Sequence, residues 1–303
     1  MNLHYRGTRH LKALRPALML TAAAGLATVT GPVMAGSGES RGDITLAYVE
    51  WSDAIASTNV MKTVLEQAGY RVETTSLSAA AMWQAVASGD ADALVTAWLP
   101  TTHESYFERL SDQVVDMGPN LDGTRLGLTV PDYVEAQSIA DLADQSDMFD
   151  GRIVGIDPGA GIMSKTEEVM EAYGLDDMNL VSGSGATMTA ALGSAIDSEE
   201  PIVVTGWTPH WMFGRWDLRY LEDPQNVFGG TEQIHTIARQ GLSEEMPVAA
   251  CILDNFEWTP SELSEVMLLN QDESQSPAED ARQWVGDNQA MVDEWMQGCE
   301  RQS

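Results

Sequence analysis

Short apolar runs of strand length alternate with segments of helical period along this chain, and that alternation restricts its fold more than any other feature. Apolar runs bounded by turn residues read as buried strands. The segments between them are long enough to cross back over a sheet, so the class is α/β. Residues 44–49 (ITLAYV) read as the first strand. In 54–68, Ile55, Met61, Val64, Leu65 and Ala68 fall mostly at steps of three and four, and Gly69 is a natural stop, which predicts a helix. Residues 71–77 are the next strand, and Ser78 can cap a helix running to Gly89. Residues 93–98 (ALVTAW) are the third strand, a helix follows from about Thr102, and 125–130 form another strand. The series then restarts. Residues 152–157 are a strand, the turn PGAG leads into a helix ending at Gly174, and 186–197 make a second helix. Residues 201–206 are a strand ending at Trp207, and 248–303 is expected to hold one strand and several helices.

The two series echo each other. LVTAWLPTTH (94–103) and VVTGWTPH (203–210) each carry an apolar strand, a Trp, one residue, a Pro and a nearby His. Trp-x-Pro can merely terminate a strand, but its equivalent place in both series reads as two similar lobes. The first is expected from 43–130 plus 240–303 and the second from 131–239, with crossings near 128–135 and 232–242 as a hinge.

Ahead of this pattern lies a segment with different logic. Arg6, Arg9, Lys12 and Arg15 form a basic stretch without acids, an apolar run follows from about 16 to 27, and Val33-Met34-Ala35 fits small-x-small cleavage. Residues 1–35 therefore read as a cleavable secretory signal, which directs the protein to the periplasm. The alternative, an uncleaved anchor, suits the run poorly because it is short and interrupted by Thr and Gly. All 46 acidic residues but only 12 of the 16 basic ones lie beyond residue 35, a net charge near −34 for the mature part. Such a surface repels nucleic acid and anionic lipid. The acids are scattered along the chain, which fits a protein working in high salt, where self-repulsion is screened. Cys251 and Cys299 are the only cysteines. In an exported protein they either pair as a disulfide or stay as two buried thiols.

In open α/β sheets ligands sit beyond the carboxyl ends of the strands. Trp51, Trp98 and Trp207 fall there, and two lobes facing across a cleft would bring them together. Trp is the strongest cation–π partner, and aromatic cages suit quaternary ammonium groups, which have no N–H to donate. Core packing is the other reading of any Trp, and composition alone leaves both open for these three. Core packing is the better reading for Trp83, Trp211, Trp216, Trp258, Trp284 and Trp295. Gly159-Ala160-Gly161-Ile162 opens a helix directly after a strand, where free backbone N–H groups suit a carboxylate or phosphate. His103, five residues past Trp98, can donate to a carboxylate in the cleft or simply face solvent. Catalytic and cofactor motifs (G-x-S-x-G, GxxxxGK[ST], H-E-x-x-H, C-x-x-C) are not found, and His210 and His235 lack metal-ligand spacing. The expectation is a binding protein with no cofactor and no bound metal, not an enzyme.

At these residues the chain resembles the glycine betaine-binding proteins of osmoprotectant ABC importers. The matching stretches are YVEWSDAIASTNVMKTVLEQAGY (48–70), MWQAVASGDADALVTAWLPTTHESY (82–106), the GAGI turn (159–162), VVTGWTPHWMF (203–213) and LDNFEW (253–258). The resemblance implies a two-lobed type II periplasmic-binding fold, each lobe a sheet flanked by helices, closing over its ligand. It implies that Trp51, Trp98 and Trp207 box a trimethylammonium while His103 and the N–H groups of Gly161 and Ile162 hold a carboxylate. In the related choline-binding branch an acidic residue near the first Trp accepts the ligand hydroxyl, a secondary role open to Asp53. His103 ranks betaine above choline, with carnitine, proline betaine and dimethylsulfoniopropionate as further candidates. The implied partner is a permease–ATPase complex in the inner membrane, served by a monomer. A module feeding a chemoreceptor is the alternative assembly.

Overall fold

The computed structural model describes residues 40–272 and 274–302; the expected signal peptide, 1–35, lies outside the described residues. Nine strands are present among them: β1 (Asp43–Tyr48), β2 (Arg71–Ser76), β3 (Ala93–Leu99), β4 (Val114–Pro131), β5 (Arg152–Val154), β6 (Asn179–Val181), β7 (Val204–Thr208), β8 (Leu218–Tyr220) and β9 (Glu232–Arg239). They form one curled sheet in the order β2-β1-β3-β9-β4-β7-β5-β6, with β8 paired to β4. The outer strands are parallel (β1 with β2 and β3, β5 with β6 and β7), while β9 and β4 run antiparallel to their neighbours. β4 pairs with β9 through Val114–Thr124 and with β7 through Arg125–Thr129, so this one 18-residue strand carries the sheet from one half to the other.

α1 (Ser52–Gln67) and α2 (Ala79–Ser88) pack against the first half of the sheet and α3 (Glu104–Leu110) against α2, while α4 (Gly161–Tyr173) packs against the second half, whose connections also hold α5 (Gly185–Asp197) and the short α6 (Met212–Arg215). The chain ends in α7 (Leu242–Glu245), α8 (Pro247–Asn255), α9 (Pro260–Leu269), α10 (Pro277–Asp287) and α11 (Gln289–Met296). Local sequence explains several boundaries. Gly89 closes α2 in the left-handed conformation, as its place after the apolar stripe predicts. Ser78 is the residue before α2, but its side chain makes no capping bond. Thr259 with Glu262, and Ser276 with Glu279, form full capping boxes, each with Pro in the first turn.

Three expectations change. Residues 248–303 contain no strand among those described; the apolar run 248–253 lies in α8. Such a run cannot be told from a strand by periodicity, and Pro247 at the start favours the helix. The strand expected at 125–130 begins at Val114, because its polar first half pairs with β9 through three register irregularities. β9 itself lies where only a hinge crossing is expected. Its inward positions include Glu232 and Thr236, which hide the alternation from an apolar pattern.

The aromatic residues divide as follows. Trp83, Trp258, Trp284 and Trp295 are buried; Trp258 and Trp295 pack against Phe256, and Trp284 against both of those tryptophans. Trp211 and Trp216 are only half-buried and carry the Arg215 guanidinium on their faces, 6.0 and 5.3 Å from the ring centroids. Cys251 and Cys299 are joined in a disulfide that ties α8 to the last described turn. No helix among the described residues is long and apolar enough to cross a membrane.

Candidate functional site

The echoed segments become echoed structures. Trp98 is the sixth residue of β3, Trp207 the fourth of β7, and the following Leu99–Pro100 and Thr208–Pro209 peptides are both cis. Trp51 leaves β1 and sits at the N-cap of α1 in an extended conformation. All three rings line one cavity. The tryptophans are 6%, 3% and 4% exposed in chain order, so a guest there is shielded from water.

Each indole is held by its edge. Trp51 Nε1 donates to Asp157 at 2.9 Å. Trp98 Nε1 and Trp207 Nε1 donate to the two oxygens of Asp53, at 3.2 and 3.1 Å. A buried indole N–H needs an acceptor, and with that need met at the rim the rings can turn their faces toward the cavity. Asp53 is 1% exposed and lies in the first turn of α1. Burial pushes its carboxyl up to about 6, against the lowering effect of the indole and backbone N–H groups that it accepts from. Its indole donors are neutral, so a cation in the cage would be its nearest compensating charge.

His103 is fully buried beside the same cavity, at the N-cap of α3. Its ring lies 5.7 Å from Trp51 and makes edge contacts with Trp83 and Tyr106. Burial lowers its pKa to about 3, so the imidazole is neutral at physiological pH. Nδ1 accepts the backbone N–H of Trp98 at 3.1 Å. A backbone N–H only donates, so Nδ1 is unprotonated and Nε2 carries the hydrogen. Nε2 is buried with no acceptor among the described residues. The loop carrying His103 is fixed from behind by Glu232 of β9, which accepts the N–H groups of Thr101 (2.6 Å) and Thr102 (2.7 Å) and the Thr102 hydroxyl.

Gly161 and Ile162 open α4 at the same cavity, where first-turn N–H groups have no acceptor within the helix. A Cβ on Gly161 would overlap the Thr102 carbonyl, so only glycine lets the His103 loop approach this helix end. Tyr106 Oη reaches the Gly159 carbonyl at 2.7 Å across the same junction. The structure therefore gathers Trp51, Trp98, Trp207, His103, Asp53, Gly161 and Ile162 around one cavity. Cys251 and Cys299 are not among its lining residues.

Sequence reasoning missed Asp157, Glu232 and Tyr106. Asp157 and Glu232 are two acids among 46, and nothing local marks them. Tyr106 had a weak signal, lying on the same helical face as His103 at a spacing of three.

Comparison with known proteins places this arrangement. Residues 42–287 match the family model described as the substrate binding domain of an ABC-type glycine betaine transport system. The chain is 48% identical over 160 residues to the glycine betaine/carnitine transport binding protein GbuC of Listeria monocytogenes; the aligned part is 52% of this chain and only 53% of that protein. It superposes on lactococcal OpuAC, crystallised closed with glycine betaine, with a TM-score of 0.81 and 42% identity, covering 84% of this chain and 100% of the other. A choline-binding protein of an ABC transporter in complex with choline gives a TM-score of 0.79 at 27% identity, covering 84% and 92%. The chain thus belongs to the family of substrate-binding domains of ABC-type glycine betaine transport systems, with the α/β architecture of type II periplasmic binding proteins.

Proposed function

We propose that this protein captures glycine betaine outside the cytoplasm and delivers it, chemically unchanged, to a permease–ATPase complex in the inner membrane. The observation that carries the reading is the pairing of two unlike walls in one buried cavity. One wall is three indole faces with their N–H groups tied off at the rim. The other is the Nε2–H of a neutral histidine beside the opening turn of a helix. A trimethylammonium group lies on the first, and the carboxylate of the same molecule accepts from His103 Nε2 and the amides of Gly161 and Ile162. Desolvated cation–π contacts contribute about 2 kcal/mol each, so three contribute ~6 kcal/mol before the costs of association.

Asp53 serves this ligand by balancing the cation and squaring Trp98 against Trp207. Choline would satisfy the cage and Asp53 equally, but would leave the His103 and α4 donors facing a hydroxyl, a poorer acceptor. Betaine therefore ranks first.

Two lobes follow from the same reading. The first holds 43–124 and the C-terminal helices, and we set the first crossing at Arg125 rather than near 131, because β4 pairs with β7 from there on. We set the second crossing at the start of β9 rather than near 239, because β9 pairs with β3 and the first half of β4. The protein works as a monomer in the periplasm after removal of residues 1–35. Isothermal titration with glycine betaine tests the proposal: saturable one-to-one binding with betaine recovered intact supports it. Absence of binding, or conversion of the betaine, refutes it.

A further inference from the structure

Two of the three indole bonds at the cage rim join parts of the fold that the hinge would separate. Trp51 and Asp53 precede or open α1, which packs against β1, β2 and β3. Asp157 follows β5, and Trp207 lies in β7, in the other half of the sheet. Trp51 Nε1 donates to Asp157 Oδ2 at 2.9 Å, and Trp207 Nε1 donates to Asp53 Oδ1 at 3.1 Å. The partners are 106 and 154 residues apart in sequence. The two bonds are reciprocal: each half contributes one carboxylate and one indole N–H. The third rim bond, Trp98 to Asp53, stays within the first half.

We propose that Asp157 and Asp53 form a latch across the cleft, each receiving the indole N–H of a cage tryptophan from the opposite lobe. Closing the lobes and orienting the cage then become a single event. This rests on the two-lobed reading of the cage given above. In the open protein Asp53 already holds Trp98, while the N–H groups of Trp51 and Trp207 face water. Closure brings each to a carboxylate and turns its ring face onto the cation. Asp157 does not line the cavity, so it acts on the ligand only through Trp51 and is a positioning residue. A hydrogen bond to a charged acceptor holds the closed state, so its loss appears as faster release rather than slower capture.

The test is stopped-flow tryptophan fluorescence with glycine betaine on the full mature chain. Asp157→Ala should raise the dissociation rate about 10- to 100-fold and leave the association rate within about threefold. Asp157→Asn, which keeps a carbonyl acceptor in the same place, should recover much of the loss and guards against a variant that misfolds. In a Trp51→Phe background, which keeps a ring but has no N–H to donate, Asp157→Ala should add little. The latch is overturned if Asp157→Ala releases betaine at the wild-type rate. It is equally overturned if that substitution costs as much with Phe at 51 as with Trp. Wild-type protein that fails to bind betaine would instead take down the functional reading, and the latch with it.

Discussion

Lowering the pH from 7 to 5 should weaken glycine betaine binding by up to about tenfold, through Asp53 and not through His103. Asp53 is buried, accepts only from neutral donors, and has a pKa raised to about 6. Glycine betaine stays zwitterionic across this range, and its cation beside Asp53 favours the ionised carboxylate. The ligand therefore binds the ionised form preferentially, and binding displaces any proton on Asp53. In the closed cavity, where that raised pKa applies, Asp53 without a ligand is about nine-tenths ionised at pH 7 and about one-tenth at pH 5, which sets an upper limit of roughly tenfold or ~1.4 kcal/mol. His103 has the opposite signature. With its pKa pushed down to about 3 it stays neutral above pH 5 and adds no slope. Were it to become cationic near pH 6, its charge beside the betaine carboxylate would tighten binding as pH falls. Calorimetry at pH 7, 6 and 5, repeated in buffers of different ionisation enthalpy, reads both quantities. Proton release per betaine bound should grow as the pH falls from 7 to 5. Asp53→Asn should flatten the profile. Affinity that is unchanged or tighter at pH 5, or binding without proton release there, would refute the reasoning.

Three further outcomes are expected. Trp98→Ala should weaken betaine binding tenfold or more by titration calorimetry, about 1.4 kcal/mol per decade, since one of three cation–π faces is lost; unchanged affinity would remove Trp98 from the cage. His103→Ala should cost betaine about 10- to 100-fold and choline much less, because both ligands share any loosening of the cage but only betaine loses a hydrogen bond to its carboxylate; equal losses would contradict the Nε2 assignment. With a net charge near −34 beyond residue 35, the melting temperature should rise between 0.1 and 1 M KCl as the screening length falls from about 10 to about 3 Å. A melting temperature that stays flat or falls would count against adaptation to high salt.

The acidic surface and the site also bear on each other. Arg41, Arg71, Arg152 and Arg239 pair with acids outside the cavity lining. None of the residues lining the cavity is a lysine or arginine. Asp53 therefore meets no basic side chain there, which is why a ligand cation has such leverage on it. A positive charge built into that wall would satisfy Asp53 permanently and repel the trimethylammonium group.

What could be read from the sequence alone was whatever depends on neighbours along the chain. Helical spacing in 54–68, Gly89 as a stop, and the repeated Trp-x-Pro after apolar strands all report local geometry, and each appears in the structure where its spacing places it. The seven residues expected near one another sit at strand ends and helix starts, positions marked by pattern and turn chemistry, and the structure brings them to one cavity. Three things needed the tertiary structure. β9 and the first half of β4 are strands because they find each other, across register irregularities and with Glu232 and Thr236 pointing inward, so no run of apolar residues announces them. The tautomer of His103 is set by the backbone N–H of Trp98, a contact that exists only after the β3–α3 turn folds back. The acceptors of the indole edges, Asp157 for Trp51 and Asp53 for Trp207, lie more than a hundred residues from their donors. In a chain with 46 acids no local pattern singles out those two. Composition makes carboxylates plentiful; only the fold decides which of them meets a tryptophan in the dark of the cleft, where a hydrogen bond is worth most because water cannot compete for it.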